Sequence, residues 1–236
     1  MASPALLAIS HGTASAEGQA AIERLMDAVA RRLPDVTVRL GHVDVQQPDV
    51  AASLDAIPAA QPVVIVPLLL SAGYHVRVDL REQSAAHEAV AISPALGPDA
   101  RLVDALLARL QRLNPSDDDT IVLAVAGSSD DRANEDCRTI GAMLGERLGR
   151  EVVVGFLAAA EPRLGEAVRQ ARAAAQGAAS GRVIVANYLL APGYFHDLAV
   201  RLADGSPVAR PLLDDDEPAA SLVELVVDRY RGAMAE

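Results

Sequence analysis

Three residues with side chains that bind metals or carry protons stand at matching places in the chain: His11, Asp44 and His75. Each ends or follows a stretch that reads as a β-strand, namely Ala5–Ser10, Val36–Val45 and Val63–Leu70. Ligands of open α/β sheets gather at the carboxyl ends of strands, and neighbouring strands lie about 4.8 Å apart, so three such residues can converge on one cavity. Two imidazoles and a carboxylate form a partly anionic, borderline-soft donor set that suits Fe2+, Co2+, Ni2+ or Zn2+. An imidazole also titrates near neutrality and can hold a metal in one step and a proton in the next. His42 stands two positions before Asp44. Strand alternation puts both on one face, so either can point inward; His42 reads as a supporting or surface residue.

The elements that must position these residues follow from apolar periodicity and turn residues. After the first strand, His11-Gly12-Thr13-Ala14-Ser15 forms a small polar loop, and Glu17–Leu33 has helical spacing. Pro48 suits the first turn of a helix over Asp49–Ile57. A helix over Tyr74–His87 follows the third strand, then a short strand Ala91–Ser93 and a helix Asp99–Leu113. After a polar joint at Asn114–Asp119 the order restarts. Strands are expected at Thr120–Val125, Glu151–Leu157, Arg182–Leu190 and Val208–Arg210. Helices are expected from N-cap Asp130 to Leu148 and over Glu161–Ala175, Gly193–Leu202 and Pro218–Tyr230. Strands alternating with helices imply parallel βαβ units. The expected architecture is α/β: two similar three-layer α/β/α domains with parallel sheets, spanning residues 1–114 and 115–236.

The two halves repeat one unit. Gly12 aligns with Gly127, Pro48 with Pro162, and Gly73-Tyr74 with Gly193-Tyr194. The second copy has Ala126, Ala158 and Phe195 where the first has His11, Asp44 and His75. Duplication followed by loss of one site explains both the matched Gly-Tyr pairs and the missing donors.

Composition narrows the function further. The formal net charge is −11 and no run of cations appears, which argues against nucleic acid as a partner. All 21 cationic residues are Arg, so a Schiff-base lysine and a P-loop lysine are excluded. Arg is left as the cation for carboxylates, a role its planar fork suits. Cys137 is the single cysteine, so no intrachain disulfide or Cys-X-X-Cys metal site is possible. No apolar stretch approaches the length of about 18 residues that a membrane span needs. A soluble cytoplasmic protein without a membrane partner is expected.

The loops at Gly12-Thr13 and Gly127-Ser128 precede helices, and free N–H groups there suit anionic groups. Neither matches a nucleotide-binding glycine motif. Arg77 and Arg81, one turn apart on the helix that carries His75, can meet substrate carboxylates or form surface ion pairs with Asp79 or Glu82. His87 reads as solvated, and His196 as a surface residue at a helix N-terminus, with a role at the site entrance as the alternative.

The segments Leu6–Gly12, the strand ending at Asp44 before Pro48, and Pro67–Leu80 with Gly73-Tyr74-His75 resemble the sirohydrochlorin chelatases, class II chelatases, in their long two-repeat form. The resemblance extends through the Gly-Tyr of the second copy. It implies a chelatase fold of two α/β domains related by a pseudo-twofold, with a tetrapyrrole in the cleft between them. It implies insertion of Fe2+ or Co2+ (Ni2+ is a further candidate) into sirohydrochlorin, in sirohaem or cobalamin biosynthesis. His11 and His75 then match the family's metal-binding and catalytic histidines, with Asp44 where the family commonly has Glu. The metal is substrate rather than resident cofactor. Gly12, Thr13, Tyr74, Arg77, Gly127 and Ser128 are the expected substrate contacts.

A two-lobed carrier that binds a metal or tetrapyrrole without reacting on it is the competing class, and the strand–helix rhythm fits it equally. A monomer is expected, because the second copy supplies the wall that a single-copy homologue borrows from another subunit.

Overall fold

Apolar runs at Ala5–Ser10 (β1) and Val63–Pro67 (β3) are buried along their whole length, as strands covered on both faces must be. With Val38–His42 (β2) and Val90–Ile92 (β4) they form a parallel sheet in the order β2-β1-β3-β4. A second parallel sheet has the order β6-β5-β7, built from Thr120–Val125 (β5), Val152–Phe156 (β6) and Val183–Tyr188 (β7). These elements belong to a computed structural model that describes residues 3–71, 80–85, 87, 89–175 and 181–234.

The chain divides into two units, residues 1–97 with 215–236, and residues 98–214. In the first, Leu7, Ile9, Val63 and Ile65 pack one sheet face against Val50 and Leu54 of Val50–Asp55 (α2) and against Leu80. Helix Ala16–Arg32 (α1) packs with helix Ala220–Ala233, and the latter also packs on β3. In the second unit, Val122, Ala124, Val183 and Val185 face Leu164, Ala167 and Ala171 of Leu164–Ala175, and Ala199 and Ala203 at Tyr194–Leu202. Further along the chain, helices are labelled Ala100–Gln111 (α3), Asp131–Leu148 (α4), Leu164–Ala175 (α5), Tyr194–Leu202 (α6) and Ala220–Ala233 (α7).

Among the described residues, four helices begin at side-chain caps. Ser15, Asp49, Asp99 and Asp130 each accept from a backbone N–H two or three residues ahead. The sequence reading of Pro48 and Pro162 inside first turns is corrected here. Both prolines lie before the helix, each in a cis X-Pro peptide, and α2 and α5 start only at Val50 and Leu164. The expected strand at Val208–Arg210 is a single bridge, Val185 to Val208. Of the expected helix over Tyr74–His87, residues 80–84 are helical; residues 72–79, with Tyr74, His75 and Arg77, lie outside the described residues.

Sequence order and packing disagree about two helices. Helix α3, last in the first repeat, packs against α4 and β7 of the second unit. Its Arg109 donates to both oxygens of buried Asp214, at 2.5 and 2.9 Å, and to the Leu212 carbonyl at 3.0 Å. Helix α7, last in the second repeat, belongs to the first unit. Its Tyr230 hydroxyl donates to the Pro4 carbonyl at 2.7 Å, and Arg229 to the carbonyls of Ala95 and Leu96. The repeat junction at residue 114 is therefore distinct from the packing boundary at residue 97. The apolar stripe Leu102–Leu106–Leu110 needs a sheet to cover, and nothing in a stripe says which sheet.

Candidate active site

β1 lies between β2 and β3, so the loops leaving these three strands emerge side by side. The β2 chain stays paired with β1 beyond the strand end: Val43 N–H donates to the Ser10 carbonyl at 2.9 Å and Asp44 N–H to the His11 carbonyl at 3.1 Å. On the other side Leu68 N–H donates to the Ile9 carbonyl at 2.8 Å. His11 and Asp44 are thus adjacent at the carboxyl edge of the sheet, and both are exposed. The loop that leads to His75 departs next to them, and His75 itself lies outside the described residues.

Gly12 makes this approach possible. A Cβ on Gly12 would lie 2.0 Å from the Asp44 carbonyl oxygen, and its φ of +91° is in the range that favours glycine. Beyond Asp44 the chain turns sharply. Asp44 Oδ1 accepts from Val45 N–H at 2.7 Å, and Gln46 N–H returns to the Asp44 carbonyl at 2.7 Å. Val45 is held at φ 64°, an unusual conformation for a β-branched residue, with 58% of its surface exposed. Gln46 fastens the turn by accepting from Thr13 N–H at 2.8 Å, while Gln19 donates to the Thr13 carbonyl at 2.8 Å.

His42 is not on the surface, and it does not share Asp44's environment. β2 ends at His42, the chain turns, and the imidazole is buried with Nδ1 2.8 Å from Ser10 Oγ. Burial lowers its pKa, with the Glu23 carboxylate pulling weakly the other way. The buried Ser10–His42 pair is thus formed by the residues that end β1 and β2, just before the chain reaches His11 and Asp44.

The second unit repeats this construction without the donors. Leu157 and Ala158 N–H groups donate to the Val125 and Ala126 carbonyls at 2.9 Å, and Gly127 at φ +83° approaches the Ala158 carbonyl as Gly12 approaches that of Asp44. Ala126 and Ala158 replace His11 and Asp44, and Val125 and Phe156 replace Ser10 and His42. Two of the loop amides expected to meet anions have partners within the protein. Thr13 N–H donates to Gln46, and Ser128 N–H to Asn134 Oδ1 at 2.9 Å, because each loop folds onto its own polar side chains.

Two other histidines differ from expectation. His87 is half-buried, with Nε2 3.8 Å from Asp55 Oδ1. His196 is buried, and its Nδ1 lies 2.8 Å from Asn187 Nδ2 at the end of β7. The neighbouring rings of Tyr194 and Phe195 are exposed instead.

Comparison with known proteins agrees with this fold. SirB from Bacillus subtilis, solved with Fe3+, is 18% identical, with a TM-score of 0.78 over 99% of this chain and 96% of that one. SirB from Bacillus subtilis subspecies spizizenii, a sirohydrochlorin chelatase in complex with cobalt, is 17% identical with a TM-score of 0.75, covering 98% and 95%. CbiX, described as the terminal enzyme for biosynthesis of sirohaem in denitrifying bacteria, is 20% identical with a TM-score of 0.69, covering 97% and 99%. These likenesses establish the chelatase fold. No curated protein matches the sequence. The CbiX family model matches twice, over residues 5–113 and 120–204, and the chain belongs to the CbiX family.

Proposed function

We propose that this protein inserts a divalent metal, Fe2+ or Co2+, into sirohydrochlorin, with His11, Asp44 and His75 receiving the ion. The observation that supports this most is the pairing of His11 and Asp44 at the carboxyl edge of the first sheet, against Ala126 and Ala158 in the same construction of the second. A histidine and a carboxylate on adjacent loops give a cation two donors of different hardness and partial charge neutralisation. Metal entry releases two pyrrole protons. An imidazole that gives up the ion regains a lone pair able to take one of them. Asp44 keeps one carboxylate oxygen beyond the Val45 bond for the ion or for the second proton. A cytoplasmic monomer is the state this reading assigns, in keeping with a lone, buried Cys137.

The test mixes the protein with sirohydrochlorin and Co2+ or Fe2+ and follows the macrocycle's absorption spectrum. Catalysed metallation, lost by about a hundredfold or more in His11→Ala and in His75→Ala with unfolding unchanged, is expected. Full activity in both variants, or stoichiometric binding without turnover, refutes the assignment. The second outcome would make the protein a carrier.

A further inference from the structure

We propose that Tyr194 and Phe195 form a stacking surface for the flat macrocycle of the substrate. This rests on the chelatase reading above. Among the described residues, Phe156, Tyr188 and Tyr230 are buried, whereas Tyr194 and Phe195 are 69% and 37% exposed. Leaving two adjacent rings in water forgoes the burial that the other three obtain. Their centroids lie 5.7 Å apart at an interplanar angle of 60°, so the pair presents a ring face and a ring edge together.

Their position points to a ligand rather than to loose packing. Tyr194 opens α6 at the carboxyl end of β7, where ligands of open α/β sheets bind. In the repeat these residues stand where the first copy has Tyr74 and His75. The first turn is anchored from beneath by the buried His196–Asn187 hydrogen bond, so the rings stand on a fixed base. The guanidinium of Arg201 lies 6.0 Å from the Tyr194 ring centroid and forms no ion pair among the described residues. An aromatic pair with a cation beside it matches a flat ring system that carries carboxylates.

The experiment titrates sirohydrochlorin, without metal, into the wild type, Tyr194→Ala/Phe195→Ala and Phe195→Trp, following absorbance. Co2+ binding by calorimetry and sedimentation run in parallel. The double variant is expected to bind sirohydrochlorin about tenfold more weakly, with Co2+ affinity and thermal unfolding unchanged. Phe195→Trp is expected to keep or exceed wild-type affinity. If the wild type binds and metallates sirohydrochlorin and the double variant does so equally well, the stacking surface is refuted while the chelatase reading stands. If the double variant only changes self-association, the rings serve a second copy and the inference fails. If the wild type does not bind sirohydrochlorin, both readings fall.

Discussion

The Asp44 amide donates to the His11 carbonyl at 3.1 Å, fixing the two proposed metal donors to each other through their main chains. Their spacing is set by strand pairing rather than by side-chain packing. The counterpart bond, Ala158 to Ala126 at 2.9 Å, shows the same frame holding two methyl groups. The frame is thus separable from the chemistry, and each can be tested alone.

Gly12→Ala and Gly127→Ala separate them. Both introduce a Cβ 2.0 Å from a facing carbonyl oxygen at positive φ, and each is expected to cost about 1–3 kcal/mol in urea unfolding. Only Gly12→Ala is expected to weaken Co2+ binding, since only it displaces the Asp44 loop. Equal loss of metal affinity in both would detach the ion from the first repeat.

Asp44→Asn retains an oxygen for the Val45 N–H but removes the charge. Metal affinity is expected to fall about tenfold with the unfolding midpoint unchanged. Asp44→Ala also releases the strained Val45 turn and is expected to lose more. Calorimetric titration with Co2+ beside urea unfolding checks both.

His42 gives the fold a pH dependence of known sign. Its pKa is lower folded than its ordinary value of 6.5, because burial disfavours the imidazolium. The unfolded chain therefore takes up the proton first. The contribution is complete above about pH 6.5 and declines as pH falls through the folded pKa. Urea unfolding from pH 8 down to about pH 5 should show a slope that His42→Gln reduces. An unchanged slope would place the titration elsewhere.

Arg109→Met leaves the Asp214 carboxylate buried without its bidentate partner. Breaking such a pair costs about 3–5 kcal/mol. Arg112, 3.6 Å from the same carboxylate, is expected to hold the loss near about 3 kcal/mol. Adding Asp214→Leu should restore much of it, as measured by denaturant unfolding.

Apolar runs and the glycines after them made the strands, the duplication and the His11–Asp44 pairing readable from sequence. Alternation put His42 and Asp44 on one face, yet His42 is buried and Asp44 exposed, because β2 ends at His42 and periodicity does not record where a strand stops. Burial of His196 depends on Asn187, a strand residue opposite the helix start, which helix position alone does not disclose. The amides of Thr13 and Ser128 donate to Gln46 and Asn134, partners that a count of loop amides does not disclose. The destinations of α3 and α7 were hidden for another reason: both repeats offer an apolar sheet, and either could cover the stripe.

That crossed placement sets the order in which the protein can be completed on the ribosome. All of residues 98–214 emerge before α7, so the donor-free unit has its full complement of elements while the chain is still being made. The unit with His11 and Asp44 starts before residues 98–214 yet is completed after them, because its helix α7 follows them in the chain. A gene cut at the repeat junction would therefore yield two fragments, each with a sheet face uncovered and a helix suited to the other.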